Sequence, residues 1–70
     1  MTKERPANQD MIDGYLDGRD LDSPNPSKNR SHSYKHGFMV GRGEKTGTLT
    51  HGAEYLRRAA DAAMDLDSVQ

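Results

Sequence analysis

Apolar and small residues recur every three to four positions near the start of the chain, and acidic residues occupy the positions between them. At about 100° per residue, Met11, Gly14, Tyr15 and Gly18 fall on one stripe, with aspartates on the opposite side. This pattern predicts an amphipathic helix over about residues 9–19, with Asn8 as its N-cap. The polar residues 1–7 are expected to form a flexible N-terminus.

The same pattern returns 23 residues later. A stripe of Tyr34, Gly37, Phe38 and Gly41 predicts a second helix over about 32–43, and Ser31 stands at the matching cap position. Both segments contain Gly-aromatic-x-x-Gly-Arg, at 14–19 and at 37–42. Glycines four residues apart leave a strip of helix surface without side chains, where another backbone can come close. We therefore predict that the two helices pack through these residues: Gly14, Tyr15, Gly18, Gly37, Phe38 and Gly41.

The Asp-Gly pairs at 13–14 and 17–18 admit a second interpretation, because Asp-Gly is also a hairpin-turn signal. Glycine within a helix costs about 1 kcal/mol relative to alanine. A β-hairpin, however, needs alternating strands on both sides of the turn, and the flanking residues do not alternate. Two helices in close contact explain the glycines better.

The rest of the chain divides into a connector, a loop and a third helix. Residues 20–30 contain Pro24 and Pro26 and predict an irregular connector within a helical hairpin that spans 8–45. A loop follows at 46–50. Thr50 then caps an Ala-rich helix over 51–67, whose inner face is formed by Ala53, Leu56, Ala60, Ala63 and Met64. The predicted fold class is therefore all-α, a small helical hairpin of two Gly-x-x-x-Gly helices plus a C-terminal Ala-rich helix.

Composition limits how this chain can be stabilised. It has 70 residues, of which 31% are hydrophobic, and it contains neither Cys nor Trp. The core must be thin, so the sequence leaves open a folding partner or a homodimer through the Ala-rich face. Disulfides and thiolate chemistry are excluded. The short apolar runs cannot span a membrane, so we expect no membrane association and a cytoplasmic location.

Charge is distributed unevenly along the chain. Residues 10–22 contain five aspartates against Arg19, a net charge of −4, whereas residues 28–45 contain five cations against Glu44, a net charge of +4. The two segments can attract each other, or the basic one can bind phosphates. The second interpretation predicts an RNA-binding set of Lys28, Arg30, Tyr34, Lys35, Arg42 and Lys45. For Tyr34 the alternatives are stacking on an unpaired base and packing in the core; Phe38 is assigned to the core.

Few residues of the sequence are arranged as catalytic or metal-binding groups usually are. His32 and His36 have the i, i+4 spacing of paired metal ligands, but no metalloprotease glutamate accompanies them, so surface histidines are the favoured interpretation. A thin three-helix chain also offers no pocket that would shift the pKa values of its aspartate pairs. We expect neither an enzyme nor a bound metal or cofactor.

The order of these motifs resembles that of a known family. Gly14-Tyr15-x-x-Gly18-Arg19, a proline-containing connector and Tyr34-x-x-Gly37-Phe38-x-x-Gly41 together are similar to the bacterial ribosome modulation factors, with this chain as a divergent member. The resemblance covers about residues 8–45. It implies a small regulator that binds the small ribosomal subunit near ribosomal RNA, lowers translation and promotes inactive ribosome dimers during hibernation.

Three hypotheses about function follow. The first is binding to the ribosome or to structured RNA through residues 28–45. The second is a small protein-binding regulator or inhibitor, of the kind that phages and mobile elements encode. It would present the acidic helix faces to a basic partner protein through Asp13, Asp17, Asp61 and Asp65. The third is a helical domain that only self-associates.

Overall fold

Three helices make up the chain in the computed structural model, which describes residues 7–68. They are α1 (Ala7–Arg19), α2 (His32–Thr46) and α3 (Ala53–Ser68), and no strand occurs between residues 7 and 68. The predicted all-α class is confirmed. Residues 1–6 of the predicted flexible N-terminus lie outside the described residues.

The helices α1 and α2 touch backbone to backbone at all four predicted glycines. A Cβ atom added to Gly14 would overlap the carbonyl oxygen of Tyr34, and one added to Gly37 would overlap that of Met11. Each of the four glycines lies against one carbonyl group of the facing helix. The pairs are Gly14 with Tyr34, Gly37 with Met11, Gly18 with Phe38, and Gly41 with Tyr15. The predicted packing of the two helices through their glycine stripes is confirmed.

These contacts obey the 23-residue repeat of the sequence. Shifting Gly14 forward by 23 positions and its partner Tyr34 back by 23 gives the second contact, Gly37 with Met11. The two contacts of Gly18 and Gly41 are related in the same way. The duplicated motif therefore builds a pair of helices related by an approximate two-fold axis.

The two paired helices run in the same direction. Gly14 lies against Tyr34, and Gly18, one turn later, lies against Phe38 and Arg42, so residue numbers rise together along both helices. The connector carries the chain back from the end of α1 to the start of α2. This arrangement differs from a simple hairpin, in which consecutive helices are antiparallel.

The core is as thin as the composition predicts. Tyr34 and Phe38 are each 5% exposed, and Ala63 of α3 is 8% exposed. Ser33 is fully buried beside them. Tyr34 and Phe38 lie one turn apart with their ring centroids separated by 6.4 Å, so both of these buried rings come from one face of α2.

The helix ends confirm one of the three predicted caps. Ser31 caps α2, because its Oγ accepts a hydrogen bond from the Tyr34 amide at 3.1 Å. The predictions for Asn8 and Thr50 were wrong. Helix α1 already begins at Ala7, and α3 begins at Ala53, with the Leu56 amide bonded to the carbonyl of Gly52.

The end of α2 lies beyond the predicted boundary. Gly47 ends the helix in the left-handed conformation, with φ of 74°, which glycine adopts without steric cost. Gly43 lies inside the helix, where its bare backbone receives the side chain of Leu49. The loop therefore spans 47–52 instead of 46–50, and Leu49 folds back over the last turn of α2.

Helix α3 packs against α2 and makes few contacts with α1. It runs antiparallel to α2, since Leu49 lies near the end of α2 and Asp67 bonds to its start. The predicted inner face is partly or fully buried except for Ala53, which is exposed because it begins the helix. Ala59 joins this face. Small side chains thus make up most of the face of α3 that is withdrawn from solvent.

Replacing Gly37 with alanine should destabilise the fold, although alanine normally favours a helix. The new Cβ would meet rigid backbone of α1, and such overpacking costs about 1–3 kcal/mol. The matched control is Gly43→Ala in the same helix, where the added Cβ would meet Cβ, Cδ1 and Cα of the loop residue Leu49 at 3.0–3.4 Å, a contact that a shift of a few tenths of an ångström in the loop relieves. Urea unfolding followed by circular dichroism measures both variants. Equal stability of the two variants would contradict a backbone contact at Gly37.

Candidate nucleic-acid interface

Three of the predicted RNA-binding cations lie together where the connector enters α2. Lys35 Nζ donates a hydrogen bond to the carbonyl of Lys28 at 3.1 Å. The guanidinium carbon of Arg30 lies 3.9 Å from the centroid of the Tyr34 ring. We call Lys28, Arg30 and Lys35 the basic edge. Within residues 7–68, none of the three forms an ion pair with a carboxylate, so their charges face solvent uncompensated.

The helix terminus beside the basic edge is already occupied. Asp67 of α3 accepts hydrogen bonds from the amides of His32 at 2.9 Å and Ser33 at 2.7 Å. Together with Ser31, it satisfies the first free amides of α2, which would otherwise attract an anion. A phosphate approaching this region therefore meets the side chains of the basic edge and not the helix amides.

The ionised form of Asp67 is favoured by these bonds. Burial raises the pKa of Asp67, but the hydrogen bonds from Ser33 and from the His32 amide outweigh burial, so its pKa lies below the ordinary value. The carboxylate also complements the positive end of the α2 dipole. Asp67 was not among the residues singled out from the sequence, because its partners are 34 and 35 residues away.

Tyr34 is a core residue, which corrects its assignment to the RNA-binding set. Only 5% of its surface is exposed, and its hydroxyl donates to Asp17 Oδ2 at 2.5 Å. Burial, followed by the bond to Asp17, raises the pKa of Tyr34. Arg30 lies over the ring. Tyr34 therefore supports the basic edge from beneath and has no free face on which a base could stack.

Arg42 is also engaged within the fold. Its Nε donates to the carbonyl of Gly18 at 2.7 Å, and Nη2 donates to the carbonyls of Asp20 at 3.2 Å and Ser23 at 2.9 Å. The guanidinium carbon lies 4.8 Å from the ring centroid of Phe38. Arg42 thus binds carbonyl groups at the C-terminal end of α1 and in the connector. Its role is structural, and it is not part of the candidate interface.

The corresponding arginine of the first motif has a different partner. Arg19 forms an ion pair with Glu44 at 3.1 Å, and Tyr15 donates a hydrogen bond to the same carboxylate at 2.5 Å. That hydrogen bond is the main cause that raises the pKa of Tyr15. Both motif arginines therefore link α2 to α1. Arg19 does so through the carboxylate of Glu44, and Arg42 does so through backbone carbonyls of α1 and of the connector.

Lys45 lies apart from the basic edge. It belongs to the last turn of α2, ten residues after Lys35, which corresponds to about 15 Å along the helix axis. There its charge complements the negative end of the helix dipole. The structure therefore brings three of the six predicted RNA-binding residues together, buries Tyr34 beneath them and places Arg42 and Lys45 elsewhere.

The acidic residues of the alternative hypothesis are divided between α1 and α3. Asp17 accepts the hydroxyl of Tyr34, and Asp13 accepts a hydrogen bond from Gln9 at 3.1 Å. Asp61 and Asp65 are exposed on α3, which makes few contacts with α1. The geometry therefore gives no particular support to a single acidic face that would receive a basic partner.

Comparisons with known proteins place no further limit on function: no protein-family model, curated protein or solved structure matches this chain. In the part of the chain that the structure describes, no group of three His, Cys, Asp or Glu side chains is arranged to hold a metal ion. None of the helices found between residues 7 and 68 is both long and apolar enough to cross a membrane.

Replacing Asp67 with alanine should weaken the fold in a pH-dependent way. Loss of a helix cap costs about 1 kcal/mol. Because the folded-state pKa is lowered, the stabilisation is complete above the ordinary aspartate pKa of 3.8 and is lost as the pH falls through the folded value. Urea unfolding at neutral pH and near pH 3 should show the difference between wild type and variant shrinking on acidification.

The control for this experiment is Asp65→Ala, which removes an exposed carboxylate from the same turn of α3. It should change stability by less than about 0.5 kcal/mol at both pH values. A cost for Asp67→Ala that is independent of pH, or a cost no larger than that of Asp65→Ala, would contradict the capping role.

Proposed function

We propose that this chain binds structured RNA through the basic edge, as a small ribosome-associated regulator. The observation that supports the proposal is the cluster of Lys28, Arg30 and Lys35, three cations without a carboxylate partner among residues 7–68 in a chain of net charge −1. A protein with no overall positive charge can attract RNA only through such a local concentration of cations.

Two of these cations are held in place before binding. Lys35 is anchored by the carbonyl of Lys28, and Arg30 rests on the buried ring of Tyr34. A side chain that is already ordered loses less conformational entropy when it contacts a phosphate. The basic edge is therefore a partly preorganised site for a phosphate backbone.

Contacts of this kind favour structured RNA of a particular shape and do not read a base sequence. Phosphate contacts position a protein on a nucleic acid, whereas base contacts specify sequence. The buried state of Tyr34 and Phe38 removes the two aromatic rings nearest the basic edge from base stacking. The proposed ligand is therefore a folded RNA surface, such as the backbone of ribosomal RNA.

The resemblance to ribosome modulation factors gives this proposal its biological setting. It would place the chain in the cytoplasm on the small ribosomal subunit, where it would lower translation and favour the hibernating state. The motif residues that carry the resemblance pack α1 against α2. In this proposal they build the scaffold, and the basic edge supplies the contact with RNA.

Neutralising the basic edge should weaken RNA binding and reduce its salt dependence. The variant combines Lys28→Gln, Arg30→Gln and Lys35→Gln. Each phosphate contact contributes roughly 0.7–0.9 to the slope of log affinity against log salt concentration, so losing three should reduce the slope by about two to three. Fluorescence anisotropy with a labelled ribosomal RNA hairpin at several salt concentrations measures this slope.

The matched control is a second triple variant with the same change in charge, Lys45→Gln, Arg57→Gln and Arg58→Gln. It should retain most of the affinity and of the salt slope. Equal weakening by both variants would mean that only total charge matters, and absence of binding at low salt would refute the proposal. Sedimentation with purified small subunits, before and after RNase treatment, tests the ribosomal assignment separately.

A further inference from the structure

An apolar groove lies between α1 and α3 on the surface of α2, away from the basic edge. Gly37 and Val40 of α2 form its floor, and it encloses about 350 Å³. Met11, Ile12 and Tyr15 of α1 form one wall, and Leu56 and Arg57 of α3 form the other. Volumes of about 300–1,000 Å³ with mainly apolar linings are typical of small-molecule sites.

The groove follows from the way the three helices pack. The glycine contacts bring α1 onto one side of α2, and the small residues of α3 bring that helix onto another. Since α1 and α3 make few contacts with each other, the space between them stays open. Ile12 at its edge is 49% exposed, so apolar surface remains in contact with water there.

The charged lining of the groove consists of a cation, Arg57. Arg57 has no ion pair within residues 7–68, whereas its neighbour Arg58 pairs with Glu54 at 3.1 Å. Burial lowers the pKa of His36, the other titratable base in the lining, so its neutral form is favoured. Among residues 7–68, no carboxylate lines the groove. Arg57 is thus a cation that forms no ion pair with the described residues and stands at the rim of an apolar surface.

We propose that this groove binds a small amphipathic carboxylate, a molecule with one acidic head and an apolar body. The apolar body would cover Met11, Ile12 and Val40, and the carboxylate would pair with the Arg57 guanidinium, which matches a carboxylate in a two-point geometry. An apolar ligand without an acidic group would form no ion pair with Arg57. The inference is independent of RNA binding, since none of its residues belongs to the basic edge.

Decanoate, used below the concentration at which it forms micelles, is a suitable probe for the whole chain. Titration followed by amide NMR shifts should show saturable changes centred on Gly37, Val40 and Leu56. Decanol has the same alkyl chain and no charge. It should bind at least about five-fold more weakly than decanoate. The variant Arg57→Gln should lose about five-fold in decanoate affinity, as expected for one partly exposed ion pair. The neighbouring Arg58→Gln should keep its affinity.

A second pair of variants tests the apolar wall. Ile12→Asp places a carboxylate in the groove and should weaken decanoate binding by more than five-fold. Leu16→Asp makes the same change one turn away, at a residue that is 59% exposed and does not line the groove, and should bind normally. Equal affinities for decanoate and decanol, or equal effects of the two arginine variants, would overturn the proposal. So would a dimer, detected by sedimentation, that Ile12→Asp dissociates and Leu16→Asp does not.

Discussion

The close contact between the backbones of α1 and α2 determines how the other parts of the structure are arranged. Four glycines each face a carbonyl group of the other helix, at distances that leave no room for a Cβ atom. Helices this close gain dispersion contacts along their backbones, which partly replaces the large apolar side chains that the chain lacks. The cost is the low helix propensity of glycine, about 1 kcal/mol at each position.

Hydrogen bonds and an ion pair add to the stabilisation that this small core provides. Arg42 holds the end of α1 and the connector through three carbonyl groups, and Asp67 ties the end of α3 to the start of α2. Glu44 joins Arg19 and Tyr15 across the first two helices. Each of these side chains links segments far apart in sequence. Residues that are engaged in this way hold the fold, whereas the basic edge and Arg57 form no ion pair with residues 7–68, which is why we propose them as ligand contacts.

Helix locations and the glycine pairing were predictable from sequence because both are periodic, local signals. The 23-residue repeat also corresponds to the approximate two-fold symmetry that relates the glycine contacts. What could not be predicted depends on distant partners. A basic segment does not show that Arg42 binds carbonyls while Arg30 faces solvent, and a C-terminal aspartate does not show that it caps α2. The caps at Asn8 and Thr50 failed because suitable residue types also occur where no helix begins.

The direction of α1 relative to α2 can be measured by NMR on the whole chain. Nuclear Overhauser effects from the Hα protons of Gly14 and Gly18 report which residues of α2 lie opposite each of them. Parallel pairing of the glycine stripes predicts contacts from Gly14 to Tyr34 and Phe38, and from Gly18 to Phe38 and Arg42. Contacts that run in the reverse order, with Gly14 near Arg42 and Gly18 near Tyr34, would show an antiparallel hairpin and would contradict the symmetric glycine pairing.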